Sequence, residues 1–349
     1  MGEGVSVSAS ASREGHQIFT TELTRFADRT RDRRIAAIID DVDRPLAVTV
    51  RGRDGVGRGT VASALTGAGI VVTDDLDDPD GIDVVVVAEA VKAEDRAMLG
   101  ARPALLVLNK ADLAGFGAGG PIAVAERRAA EVRRLTGVDP VPMVALLAIA
   151  ELDDELIAAL RCLVTEPADL TSTDGFLSGR HSLPLAVRAR LLDTVDLFGI
   201  AHGVLALRQG ASPTALRETL RQISRIERVI AGIDAAGAEV RYRRVRAAIT
   251  RLRAMAAAGE RAPAEFLAAD RTVIAVMATA VDVVRAAGVD PDSDPESDPD
   301  EPAAHLRRAR RWSRYGRGPV DRLHACCAAD IRRGSLRLLR GASPNAGAR

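Results

Sequence analysis

The chain has 349 residues, enough for two domains with separate cores, and its 47% hydrophobic and 28% charged content is that of a globular protein. Lys plus Arg and Asp plus Glu balance at 48 each, so the whole molecule carries no net field that would gather nucleic acid or anionic lipid. Three cysteines exclude a disulfide framework, no His/Cys set has metal-ligand spacing, and no apolar stretch reaches the roughly 20 residues of a membrane span.

Residues 1–15 are rich in Gly, Ser and Ala without periodicity. They are expected to be disordered and do not read as a signal peptide. Phe19, Leu23, Phe26, Ile35, Ile38 and Ile39 recur at helical spacing and predict an N-terminal helix within 16–44, packed on later helices. Strand-like runs follow at Leu46–Val50, Ile70–Thr73, Asp83–Ala88, Ala104–Leu108 and Val141–Leu146. Helical segments lie between and after them, notably Ala123–Leu135 and Asp153–Leu163. This alternation predicts a mainly parallel, covered α/β sheet over 45–165. Beyond Asp174 no strand pattern remains. Four helical segments, roughly 184–208, 212–235, 238–258 and 263–287, have Pro184, Pro213 and Pro263 near their starts and Gly210, Gly237, Gly259 and Gly288 at their ends. They predict an all-α bundle over 175–288. An acidic, proline-rich linker (289–302) and a basic helical tail (303–349) complete the chain.

Two segments carry chemistry. Gly52-Arg53-Asp54-Gly55-Val56-Gly57-Arg58-Gly59-Thr60 stands between the first strand and a helix, the context of a phosphate-binding loop. Glycines let backbone N–H groups close on a phosphate, and the following helix directs its positive end there. The full motif is GxxxxGK[ST]. Here Arg58 occupies the lysine position and Gly59 that of the Mg²⁺-binding hydroxyl, with Thr60 offering a hydroxyl one residue later. Read alone, the segment is equally a glycine-rich turn with no ligand. The second segment is Asn109-Lys110-Ala111-Asp112, directly after a strand. The 48 basic residues comprise 46 arginines and only Lys92 and Lys110, and asparagine occurs only at 109 and 345. A motif uniting one of two lysines with one of two asparagines therefore carries more information than its four letters. It matches NKxD, in which Asp pairs with guanine N1–H and the exocyclic amine, Asn ties neighbouring loops together and the Lys stem lies along the base. Downstream, Val141–Ala145 is a partial match to the last nucleotide loop, with Val144 where Ser usually precedes the Ala, here Ala145.

On these residues the chain resembles a degenerate P-loop GTPase of the Era/dynamin-related class, in particular bacterial dynamin-like proteins. Arg44-Pro45-Leu46 opening the strand, Ala64-Leu65-Thr66-Gly67 after the loop and the helical second half are similar to theirs. Thr73-Asp74 looks like the remnant of a switch region. The resemblance implies a reduced G domain followed by a helical bundle, and GTP or GDP held by Gly52, Gly55, Gly57, Arg58, Gly59, Thr60, Asn109, Lys110, Asp112 and Ala145. Gly59 removes the usual Mg²⁺ contact. Only 48 residues separate Thr60 from Asn109, and no switch I, catalytic Thr or water-orienting Gln can be assigned. Asp78-Pro79-Asp80-Gly81 has the letters DxxG but abuts the next strand. The expectation is a cytoplasmic pseudo-GTPase acting as partner or regulator of an intact GTPase, or as a homo-oligomer. Two readings stay open beside it: a slow genuine GTPase using Arg58 and Thr60, and a nucleotide-free scaffold. In the tail, twelve arginines face two aspartates, Asp321 and Asp330. Anionic lipid at the inner membrane is one expectation for it, a helix pair packed on the bundle with Cys326 and Cys327 in its core another. No nucleic-acid motif is recognised there.

Overall fold

The computed structural model describes residues 13–76, 78–100, 102–115, 117–291 and 301–342. Most of the acidic linker and residues 1–12 lie outside the described residues, but Glu14 and Gly15, expected to be disordered, already belong to a helix. The chain forms two compact units. One is Leu46–Ile233, and the other combines the segment up to Pro45 with the segment from Asp234 onward.

The Leu46–Ile233 unit contains five strands: Ala47–Gly52 (β1), Val71–Val72 (β2), Ile82–Val87 (β3), Ala104–Leu108 (β4) and Pro140–Pro142 (β5). They pair in the order β2-β1-β3-β4-β5, and every pairing is parallel. Buried parallel strands should read as continuous apolar runs, and they do. Val84, Val85, Val86 and Val87 have no exposed surface at all, so both faces of β3 are covered. Each such side chain contributes about 1.5–3 kcal/mol of burial.

Val85, Val87, Leu106 and Leu108 share one core with Leu156, Leu160, Leu191, Val195, Leu216 and Leu220. The last six come from the helices Asp154–Thr165, Leu185–Arg208 and Pro213–Ser224. This corrects the domain boundary expected near residues 165–175. The first helices assigned to the bundle instead cover the sheet, and the units divide at Ile233. The break expected at Gly237 is also displaced. The chain turns at Arg225 (φ 63°), and Ile226–Ala257 is a single helix running through Gly237.

In the other unit, Glu14–Thr30 and Arg33–Asp43 replace the single N-terminal helix expected. Arg31 takes φ 52°, and the Asp32 carboxylate caps the second helix by accepting from Arg34 N–H at 2.8 Å. Phe19, Leu23, Phe26, Ile35 and Ile38 pack with Val245, Leu252, Phe266 and Ala275. The tail forms Pro302–Tyr315 and Arg322–Ala342. Trp312, Cys327, Ala328 and Ile331 pack on Tyr242, Met277, Ala280 and Val283 of this unit. Among the described residues, no helix is long and apolar enough to cross a membrane.

Candidate functional site

With all strands parallel, the loops after β1, β3, β4 and β5 emerge at one end of the sheet. Because β2 and β3 leave β1 in opposite directions, that end is a topological switch point, where open α/β sheets leave a crevice. The loop after β1 leads directly into the helix Arg58–Gly67 (α1). Gly52 is required by close approach, since a Cβ there would lie 2.6 Å from the carbonyl oxygen of Val86. Gly57 is required twice over: it takes φ 83°, and a Cβ would lie 2.4 Å from Asn109 Nδ2. Among the described residues, no protein acceptor receives the N–H groups of Gly57, Arg58, Gly59 and Thr60, which open α1. The first turn of α1 contains no acidic residue. This terminus suits an anion. Arg58 is exposed, with Nη1 3.5 Å from the carbonyl oxygen of Gly52, so its charge lies over the loop itself. Gly59 faces open space.

Asn109, 4% exposed, is the hub of the site. Its Nδ2 donates to the carbonyl of Val56 in the loop after β1 at 2.9 Å. Its Oδ1 accepts from Ala145 N–H in the loop after β5 at 3.0 Å. One amide thus joins three loops. The same bond explains why the strand expected to run to Leu146 stops at Pro142. With its N–H drawn to Asn109, Ala145 starts the short helix Ala145–Ala148. Val144 N–H is held in turn by the carbonyl of Ser224 at 3.1 Å. That diverted carbonyl no longer faces up a helix, which accounts for the break at Arg225. Ser224 is a positioning residue that sequence reasoning missed, and no local pattern marks it.

Lys110 takes φ 57° and is exposed, and Asp112 follows in the single 3₁₀ turn Ala111–Leu113. The Asp112 side chain is half-buried and makes no bond to another side chain among the described residues. Burial, and then the negative charge of Asp196, push its carboxyl above the usual aspartate range. Asp196 stands at a kink inside the helix Leu185–Arg208, with φ 55° and ψ 176°, a conformation costly for any side chain. Sequence reasoning treated that helix as uninterrupted.

Other candidates fall elsewhere. Asp78–Gly81 precedes β3, at the opposite end of the sheet from the phosphate-type loop, and is closed into a turn by Gly81 N–H on the Asp78 carbonyl at 3.0 Å. Thr73 follows β2, with its N–H on the carbonyl of Val48 at 2.9 Å, so Thr73-Asp74 starts beside β1 rather than at its end. No His/Cys set has metal-ligand spacing along the sequence, but three residues without such spacing meet in space. Cys162, Glu166 and His181 bring their ligand atoms within 4.8 Å of one another. Leu183 N–H donates to His181 Nδ1 at 3.0 Å, which leaves the proton on Nε2 to donate to the carbonyl of Glu166 at 2.7 Å. Both ring nitrogens are thereby engaged in pinning the turn before residue 185.

No family model, curated protein or solved structure matches the chain.

Proposed function

We propose that the Leu46–Ile233 unit is a guanine-nucleotide-binding module of the P-loop GTPase type, related in design to the dynamin-like class. It holds GTP or GDP with weak or no hydrolysis and serves as partner or regulator of an intact GTPase. The observation that carries this reading is the Asn109 side chain, seated against Gly57 and bonded to both Val56 and Ala145. It couples the loop suited to phosphate with the segment suited to a base. The Asp112 carboxylate, bonded to no other side chain among the described residues, is an acceptor for two donors on one base edge, the chemistry that separates guanine from adenine. The amide of Ala145 is already committed to Asn109, so base recognition rests on Asp112 and Lys110 rather than on that amide.

The residues present do not fit Mg²⁺ in the usual way. Gly59 supplies no ligand atom, and Thr60 is displaced by about 100° around the helix. Without that ion and a positioned water, phosphoryl transfer lacks its main electrostatic support.

Calorimetry of GDP, GTP and ATP, with and without Mg²⁺, on wild type and Asp112→Ala tests the reading. Micromolar guanine binding that is indifferent to Mg²⁺ and abolished by the substitution is the expected result. Absence of binding by either guanine nucleotide overturns it and leaves a scaffold. Guanine affinity should also fall on acidification earlier than an ordinary aspartate would dictate, because protonated Asp112 loses acceptor capacity and its pKa is raised.

A further inference from the structure

The helical unit holds a polar cavity, remote in sequence from the nucleotide motifs and lined by residues of four helices, three of which supply its polar side chains. It measures about 240 Å³ and is lined by Arg246 and Arg253 from Ile226–Ala257, Thr272 from Asp270–Ala286, and Arg333 and Arg337 from Arg322–Ala342. Its floor is apolar, formed by Ile249, Leu267, Val273 and Val276. The paired arginines recur at spacings of seven and four, which places each pair on one helix face.

The one acidic residue of the lining is already saturated. Asp330 is 2% exposed. Its Oδ1 accepts from Arg333 Nη1 at 2.8 Å, and its Oδ2 accepts from Tyr242 Oη at 2.7 Å and Arg246 Nη1 at 3.0 Å. It therefore acts as a buried strut that holds two guanidiniums in place, while each keeps unused N–H donors for something else. Arg337 donates to Asp270 at 2.7 Å. Arg253 has no hydrogen-bond or ion-pair partner among the described residues. Even with Asp270 set against Arg337, the cavity keeps two positive charges in excess.

A second observation points the same way. Thr272 is 1% exposed, and its hydroxyl has no hydrogen-bond partner among the described residues. A buried hydroxyl without a partner is costly to keep. Thr272 lines a cavity whose other polar groups are four guanidiniums and the already saturated Asp330 carboxylate, so an oxyanion in the cavity offers its hydroxyl an acceptor.

We propose that this cavity binds a phosphomonoester dianion. Guanidiniums from two helices match tetrahedral oxyanions through forked, charge-assisted hydrogen bonds, and the excess of two charges matches a dianion. The apolar floor lowers the local dielectric beneath those bonds and so strengthens them. The volume lies below the range of pockets for larger organic ligands, which restricts the organic part to a short arm or to one that leaves through the mouth. Such a group could be a free metabolite or the headgroup of a lipid.

The full chain distinguishes these sources. One arm titrates glycerol 3-phosphate and inorganic phosphate at constant ionic strength by calorimetry. The other floats the protein with phosphatidylcholine vesicles with and without phosphatidic acid, whose headgroup is a phosphomonoester. Both arms use Arg253→Ala and Thr272→Val, with Arg332→Ala as a control. Arg332 is exposed on the same tail helix and lies outside the lining. Binding in either arm that weakens roughly tenfold or more in both cavity variants, with the control unchanged, supports the proposal and identifies the source. No binding in either arm overturns it. So does binding that the control lowers as much as the cavity variants, because that reports a general charge effect. Thr272→Val should fold normally, since it removes only an unbonded hydroxyl, and Arg253→Ala touches no internal partner.

Discussion

Asn109→Ala should damage the structure, whereas Asp112→Ala should damage only function, and this contrast follows from the geometry. Truncating Asn109 leaves the carbonyl of Val56 and the N–H of Ala145 without partners, and both residues are at most 3% exposed. Each orphaned group costs about 1–3 kcal/mol, so the loss should be roughly 2–6 kcal/mol, a large share of the stability of a typical domain. Asn109→Asp should not rescue it. The carboxylate still accepts from Ala145 but turns a second acceptor toward the Val56 carbonyl. Asp112→Ala removes a partly desolvated carboxylate with a raised pKa and no bond to another side chain, so stability should hold within about 1 kcal/mol or rise slightly. Urea unfolding followed by far-UV circular dichroism measures both. The single tryptophan, Trp312, lies in the other unit and provides a separate fluorescence probe there. Hydrogen exchange of the segment containing Ala145 supplies a local readout and should quicken in Asn109→Ala alone. A loss below about 1 kcal/mol for Asn109→Ala refutes the loop-clamp argument. A loss above about 2 kcal/mol for Asp112→Ala means the carboxylate is structural, and removes the physical case for base recognition.

Gly57→Ala should destabilise through its positive φ and its contact with Asn109. In a double-mutant cycle its cost should be far from additive with that of Asn109→Ala, and simple additivity would refute the contact. The double change Arg58→Lys, Gly59→Ser restores the motif's cation and hydroxyl. Because Gly59 faces open space, the serine should be accommodated at no cost in melting temperature, and calorimetry should show that guanine binding has become Mg²⁺-dependent. Asp282 is 3% exposed, and burial raises its pKa to about 6. The folded state therefore binds this proton more tightly than the unfolded chain does, and the term costs stability as pH rises from about 4 through 6. Asp282→Asn keeps an acceptor for Gly15 N–H and should be more stable than wild type at pH 7 by on the order of 2–3 kcal/mol, an advantage that disappears near pH 4. Burial lowers the pKa of His16, which acts in the opposite direction. The variant-minus-wild-type difference isolates Asp282, and a difference that does not change with pH would refute the assignment.

The local elements were legible in the residues themselves. A run such as Val84–Val87 has one stable use, as a strand covered on both faces, and the glycines at 55 and 57 mark a turn whose backbone enters the positive-φ region. The motif letters at 109–112 were readable because Asn and Lys are so rare in this chain. The alternation of strands and helices carried the parallel sheet. Tertiary structure alone decided the rest, because an amphipathic helix specifies that one face must be buried but not against what. The helices 185–208 and 213–224 present apolar faces that would serve a bundle or a sheet equally well, and one apolar face of β3 and β4 is buried against them. The break at Arg225 arises because the carbonyl of Ser224 is taken by Val144, some 80 residues earlier in the chain. For the same reason Asp78–Gly81 has the right letters at the wrong end of the sheet, and Cys162, Glu166 and His181 meet without any sequence spacing to announce it. The arginine cavity joins residues 246, 253, 272, 333 and 337, whose charges and hydroxyl acquire a shared purpose only when three helices pack side by side. Short-range backbone preferences are written in consecutive residues, whereas the pairing of buried faces is a competition that the folded molecule as a whole resolves.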